Sequence, residues 1–224
     1  MPDNRFEKIK QVLENRQPDL TVLIEDVEKP HNLAAIARTC EAIGIPEIHA
    51  VSKLRRLRLS QMAAGGIRKW ITLNKYTSTE SAYAELKSQN MQIVATHLSD
   101  NTIDYKDIDY TQPTAIIAGS EYEGVTEYAV ENADFCISIP MMGMVQSLNV
   151  SVAMSIILYE ALNQRKKAGM YTSRQLDKKT FNKKLFEWSH PKISQYCIEH
   201  NQPYPDINDQ GEIIGKLNNL KVIK

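Results

Sequence analysis

The chain has 224 residues, and 42% of them are hydrophobic, which predicts a folded core and excludes an intrinsically disordered chain. Its 27 lysines and arginines balance 27 aspartates and glutamates, so net charge alone points to no partner. No apolar run reaches the ~18 residues that span a membrane, and MPDNRFEKIK at the start has no apolar signal region.

Helices and strands alternate along most of the chain, beginning with an amphipathic helix over residues 4–16. Short and largely apolar runs, typical of buried parallel strands, predict six strands over residues 20–27, 47–51, 70–74, 91–98, 113–120 and 135–140. Predicted helices between or after them cover residues 33–44, 79–89, 126–133 and 147–166, with Asn32 as the N-cap of the first. This alternation predicts the α/β fold class, with a mainly parallel six-stranded sheet covered by helices on both faces.

The alternation stops after about residue 166, where the chain becomes basic, helix-prone and then turn-rich. We therefore expect three parts: an N-terminal helical extension (1–18), a core domain (19–166) and a basic C-terminal extension (167–224). The C-terminal extension has too few regularly spaced apolar residues to form a second hydrophobic core of its own.

Charge is segregated along the chain although it sums to zero. Residues 53–69 carry six lysines and arginines and no acid, and residues 165–192 carry nine against two acids. Either segment alone would fit a solvated surface. Two such segments on an otherwise acidic chain favour a face that binds a polyanion, and nucleic acid in particular.

Three loops follow predicted strands and carry unusual residues: HNLAAIAR, AGSEYEG and IPMMGMVQSLN. Parallel sheets bind ligands at the carboxyl ends of their strands, so these loops are the candidate site. The glycine fingerprint of dehydrogenases and the phosphate loop of nucleotide hydrolases are both absent. The three cysteines are scattered and no zinc spacing occurs, which predicts free thiols in a reducing cytoplasm and no metal.

The segments NLAAIAR, IIAGSEYEGV and IPMMGMVQSLNVSVA resemble the three motifs of the SPOUT methyltransferases. Within that superfamily the chain is most similar to the TrmH-type tRNA (guanosine-2′-O-)-methyltransferases, and the likeness extends over nearly its whole length. The resemblance implies a deep trefoil knot, S-adenosylmethionine bound in the knot, and a homodimer. It also implies methyl transfer to the ribose 2′-hydroxyl of a tRNA guanosine, at position 18 of the D-loop.

The resemblance also implies roles for particular residues of this chain. Cofactor-binding positions are Thr96, Gly119, Ile139, Met144 and Leu148. Positions that build the catalytic site are Asn32, Arg38, Glu121, Ser147 and Asn149. The expected phosphate contacts are Arg16 and, from the two basic segments, Arg55, Arg56, Arg58, Arg165 and Lys166.

The methionine loop (residues 141–148) is expected to wrap the cofactor. Thioethers pack adaptably against an apolar ligand, and Gly143 would permit close backbone approach. The alternative is that the methionines fill a gap in the core.

Arg38 lies among alanines, and an arginine on a close-packed helix needs a partner. The family usually assigns this position as the general base. A guanidinium stays protonated in proteins, so we instead expect Arg38 to clamp a substrate phosphate.

Two other functions stay open on the sequence. One is the same chemistry on ribosomal RNA or at another tRNA position. The other is a non-catalytic RNA-binding relative, which the presence of all five catalytic positions argues against.

Overall fold

The computed structural model describes residues 3–27, 29–51, 66, 69–99, 101–120 and 122–214. The chain divides into two compact units, a core unit of residues 17–170 and an extension unit of residues 1–16 with 171–224. Across the described ranges, every helix is too short or too polar to cross a bilayer.

The core unit is built on one sheet, in which seven strands are found among the described residues. The strands are β1 (Leu20–Glu25), β2 (Glu47–Val51), β3 (Thr72–Tyr76), β4 (Gln92–Thr96), β5 (Ile103–Asp104), β6 (Thr114–Ala118) and β7 (Phe135–Ser138). Their order is β3-β2-β1-β6-β4-β7-β5, and all neighbours run parallel. The predicted parallel α/β class is confirmed. The strand count differs by β5, which has two residues and is too short to leave an apolar run in the sequence.

The helices among the described residues are α1 (Asp3–Glu14), α2 (Pro30–Ala42), α3 (Thr79–Ser88), α4 (Glu127–Glu131), α5 (Val150–Lys167), α6 (Lys178–Ser189) and α7 (Pro191–Glu199). The first and the last two belong to the extension unit.

Helices cover both faces of the sheet because successive strand residues point to opposite sides. On one face, α2 and α5 pack on the cluster that includes Val22 and Ile116. On the other face, α3 and α4 pack on the cluster that includes Leu23 and Ile117. Strands buried on both sides explain why their sequences read as continuous apolar runs.

The starts of two helices show which residues cap them. Asn149 caps α5, because its side chain accepts a hydrogen bond from the Ser151 backbone N–H. The prediction that Asn32 caps α2 is wrong, since the helix starts earlier, at Pro30, with Lys29 in the cap position. Proline suits a first helical position because it has no N–H to satisfy, and this places Asn32 inside the first turn.

In the extension unit, the N-terminal helix packs with the C-terminal segment. Phe6, Ile9 and Leu13 of α1 share an apolar cluster with Phe181 and Leu185 of α6. The sequence did not predict helix α7. This helix begins at Pro191, two residues after the end of α6.

Arg16 belongs to the same unit and has its guanidinium over the Trp188 ring, 5.3 Å from the centroid. It exposes 1% of its surface. The structure therefore contradicts the prediction that Arg16 contacts RNA phosphate.

Arg165 on α5 is also buried, and the same prediction is wrong for it. Its side chain has 0% exposure and pairs with Asp19 at 2.5 Å. It also donates to the backbone carbonyls of Tyr110, Asp19 and Gln112 and to the Gln17 side chain. These bonds tie the end of α5 to the start of β1, so the arginine serves packing of the core unit.

We expect Arg165→Met to lower the free energy of unfolding by about 3–5 kcal/mol, because it leaves a carboxylate and several carbonyls without their donor. Urea unfolding followed by circular dichroism measures this change. The matched control is Lys166→Met at the next, exposed position, which should stay within about 0.5 kcal/mol of the wild type. Equal stabilities for the two variants would contradict the anchoring role of Arg165.

Candidate active site

Three adjacent strands end beside one another and create a cleft in the core unit. Strands β6, β4 and β7 are parallel neighbours, so their carboxyl ends meet at one edge of the sheet. The residues that follow these ends border a cleft of about 550 Å³. This volume lies within the ~300–1,000 Å³ typical of small-molecule sites.

Six of the predicted site residues line this cleft: Thr96, Gly119, Ile139, Ser147, Leu148 and Asn149. They come from three separate parts of the sequence that the fold brings together. The Thr96 hydroxyl donates to the Ile117 carbonyl at 2.9 Å and so fixes the end of β4 against β6.

Gly119 is the point of closest backbone approach at this cleft. A Cβ built there would lie 2.0 Å from the carbonyl carbon of Gly124 and 2.2 Å from the nitrogen of Val125. Real Cβ atoms do not approach backbone so closely, so any other residue would push the two segments apart. Glycine is needed here for space.

The turn that follows Gly119 folds back on itself. The Ser120 N–H donates to the Gly124 carbonyl at 2.9 Å, and the Gly124 N–H donates to the Ser120 carbonyl at 3.1 Å. Gly124 has φ +71°, a left-handed conformation that favours glycine. The Glu123 N–H donates to the Ser120 hydroxyl at 3.0 Å, which closes the turn further.

A buried carboxylate holds the far end of this turn. Glu25, at the end of β1, exposes 1% of its surface. It accepts hydrogen bonds at 2.8 Å from both the backbone N–H and the hydroxyl of Thr126, and another from the Thr79 hydroxyl. Sequence reasoning missed Glu25 because one acid at a strand end carries no recognisable pattern.

Asn32 and Asn149 meet although they are far apart in sequence. The Asn149 amide donates to the Asn32 side-chain oxygen at 3.2 Å, while its own oxygen accepts from Ser151. Asn32 is 1% exposed and Asn149 is exposed. The pair joins the starts of α2 and α5 and presents an amide at the cleft.

Arg38 lies elsewhere on α2. It is exposed and is not among the residues that line the cleft. On the same helix, the Thr39 hydroxyl is 3.0 Å from the Ser155 hydroxyl of α5, which fixes how the two helices pack. The chain's own fold therefore does not bring Arg38 to its own cleft.

The methionine loop departs from the prediction in two places. Met144 is fully exposed and does not line the cleft, whereas Met141 does. Gly143 has open space within 4 Å of a built Cβ, so the expected close approach is at Gly119 instead. The sequence alone does not show which of the three methionines in this loop faces the cleft.

The remaining predicted residues divide into two groups. Glu121, Arg55, Arg56 and Arg58 lie outside the described residues. Lys166 is exposed at the end of α5, where a phosphate would be able to reach it.

The cysteines of the core unit do not offer a nucleophile. Burial raises the pKa of the Cys40 thiol strongly and that of the Cys136 thiol as well, so both stay protonated. No cluster of metal-ligating side chains occurs among the described residues. Besides the ionisable side chains of Lys29, His97 and Glu123, the polar groups that line the cleft are amides and hydroxyls, which position a ligand by hydrogen bonding.

Comparison with known proteins agrees with this architecture. Residues 19–159 match the SpoU rRNA Methylase family, and residues 163–216 match the model described as SpoU, rRNA methylase, C-terminal. The chain is 47% identical to the tRNA (guanosine(18)-2′-O)-methyltransferase of Escherichia coli, over 95% of this chain and 94% of that protein.

Solved structures show the same fold. The A. aeolicus TrmH/SpoU tRNA modifying enzyme superposes with a TM-score of 0.78 at 38% identity, covering 85% of this chain and 98% of that one. The SpoU methyltransferase AviRb from Streptomyces viridochromogenes, in complex with AdoMet, gives 0.61 at 25% identity, covering 69% and 62%.

A parallel sheet with a cleft at its carboxyl edge defines the class as a small-ligand-binding α/β protein. The matched models and relatives make it more specific: the chain belongs to the SpoU methylase family.

Proposed function

We propose that the protein transfers a methyl group from S-adenosylmethionine to the ribose 2′-hydroxyl of guanosine 18 in tRNA. The observation that carries this proposal is the 47% identity, over 95% of the chain, to a tRNA (guanosine(18)-2′-O)-methyltransferase. The cleft at the carboxyl edge of the sheet supports the proposal, because each of the three segments that resemble SPOUT motifs contributes residues to that region. A tRNA substrate supports a cytoplasmic location.

The cleft fits the methyl donor. Apolar side chains of Ile139 and Leu148 would flank the adenine, and Gly119, against which the Gly124 backbone is folded, would lie beneath it. Thr96 closes the site beside them. S-adenosylmethionine, when bound, supplies a methyl group on a positively charged sulfur.

Asn32, Ser147 and Asn149 would orient the ribose. Asn149 is held by its bonds to Asn32 and Ser151, so an amide is fixed at the cleft before the substrate arrives. Such positioning is worth several kcal/mol, with ~7–11 kcal/mol as an upper range. Glu121 joins this group on the family resemblance.

The methionine loop, residues 141–148, would be threaded as a deep trefoil knot. Support for this comes from the path of the chain: β7 lies between β4 and β5, yet the following residues line a cleft beside the end of β6. A threaded backbone would hold these segments together without help from a ligand.

The active form would be a homodimer. Large apolar side chains are exposed on the methionine loop and on α5, namely Met142, Met144, Val145, Val152 and Tyr159. Contiguous exposed apolar surface is typical of an interface, and the last two lie on one face of α5, seven residues apart. In such a dimer, Arg38 would reach the partner's cleft and hold a phosphate of the RNA there.

Basic side chains of both units would bind the RNA backbone. Lys166 is exposed on the core unit, and Lys178, Lys179, Lys183 and Lys192 are exposed on the extension unit. Lysine and arginine bind phosphate largely by charge, with release of counterions. The contacts expected from Arg55, Arg56 and Arg58 are proposed on sequence alone.

Replacing Gly119 by alanine tests the cofactor site. We expect Gly119→Ala to weaken binding of S-adenosylmethionine at least tenfold, because the new Cβ overlaps the Gly124 backbone. Isothermal titration calorimetry measures the Kd, and urea unfolding checks that the variant folds. The control is Gly143→Ala, whose Cβ meets open space within the chain. A folded Gly119→Ala variant that binds normally would show that the ligand lies elsewhere.

The substrate is tested by transfer of tritium from labelled S-adenosylmethionine into tRNA transcripts. We expect incorporation into a transcript with guanosine 18 and loss of it when that guanosine is replaced by adenosine. Ribosomal RNA and a transcript altered at another D-loop guanosine are the controls. Incorporation into ribosomal RNA alone would support the rRNA alternative, and RNA binding without any incorporation would support a non-catalytic relative.

Arg38 variants separate a phosphate clamp from a general base. We expect Arg38→Met to lower kcat/KM at least about a hundredfold, because it removes the charge that holds the phosphate. Arg38→Lys keeps a point charge and should recover most of this loss with an unchanged pH profile. A very basic ionisation that moves with the lysine substitution would establish Arg38 as the base.

A further inference from the structure

We propose that Tyr122 forms a stacking platform for the base of the methylated nucleotide, with Lys29 beside it. The inference rests on the proposed function and adds a subsite to it, whose ligand is an unstacked nucleobase. Neither residue belongs to the set that the sequence resemblance assigned.

Tyr122 stands at the rim of the cleft with its ring open to solvent. It exposes 86% of its surface, and it is the only Phe, Tyr or Trp among the described residues that line the cleft. Lys29, also a lining residue, has its Nζ 5.5 Å from the centre of the ring. A tyrosine this exposed contributes little to folding, and its position suits contact with a ligand.

Hydrogen bonds join the two ends of the turn that carries Tyr122. Paired backbone bonds between Ser120 and Gly124 close the turn on either side of the ring, and the Glu123 N–H is bonded to the Ser120 hydroxyl. Glu25 accepts hydrogen bonds from Thr126, which lies two residues beyond the end of the turn. A preformed platform loses little conformational freedom when it binds.

The proposed reaction requires such a surface. A 2′-hydroxyl that reaches the cleft belongs to a nucleotide drawn out of folded RNA, and that nucleotide loses its neighbours in the stack. Proteins replace the lost stacking with an aromatic side chain. The replacement is worth roughly fivefold to over a hundredfold in affinity per base. Lys29 adds positive charge next to the ring, where a neighbouring phosphate would lie.

The test compares Tyr122→Ala with Tyr122→Phe in methyl transfer to a tRNA transcript. We expect the alanine variant to lose about tenfold or more in kcat/KM for tRNA, while its Kd for S-adenosylmethionine stays within twofold. The phenylalanine variant keeps the ring and should retain the wild-type values. Wild-type kcat/KM in the alanine variant would overturn the proposal, and so would equal losses in both variants.

A second measurement asks whether the ring acts on the target base itself. Affinity is measured with S-adenosylhomocysteine present, for a transcript with guanosine 18 and for one with an abasic ribose there. Removing the base should weaken binding to the wild type and have little further effect on Tyr122→Ala. Equal losses from base removal in both proteins would overturn the platform. If the wild type methylates no RNA at all, the proposed function falls as well, whereas an active wild type confines the failure to Tyr122.

Discussion

The missing side chain of Gly119 lets two backbone segments lie in direct contact where three parallel strands end. A methyl group there would come within 2.0 Å of Gly124, so the turn after β6 folds back only because the position is glycine. That turn then forms one rim of the cleft, and Glu25 secures it from the neighbouring strand through Thr126. The opposite rim is the methionine loop, whose end is fixed by the Asn149 cap of α5.

Buried and exposed polar groups have different tasks in this chain. Arg165 and Glu25 are buried, and their hydrogen bonds go to the protein itself, so they maintain the shape of the core unit. Arg38, Tyr122 and Lys166 are exposed at the surface of the core unit. Counting positive residues in a sequence mixes these two groups, whereas burial separates them. The charge available for RNA is therefore smaller than the sequence suggests.

Apolar runs explain what the sequence predicted well. The strands of the sheet are buried on both faces, so their residues read as continuous hydrophobic segments. The sequence also predicted the long helix after the methionine loop, although the structure starts it at Val150. What failed depends on tertiary contacts: β5 is too short to leave a pattern, Arg165 is buried by partners far away in sequence, and Met144 points outward. Six of the residues that line the cleft had been named from the family motifs, whereas composition alone singled out none of them.

A crystal structure of the protein with S-adenosylhomocysteine tests the central claim most directly. The account predicts the adenosine in the cleft between Ile139 and Leu148, against the Gly119 backbone, with residues 141–148 threaded through the preceding loop. Two copies should meet across the exposed face of α5, with Arg38 of one near the cleft of the other. A ligand bound elsewhere, or an unthreaded loop, would contradict the account.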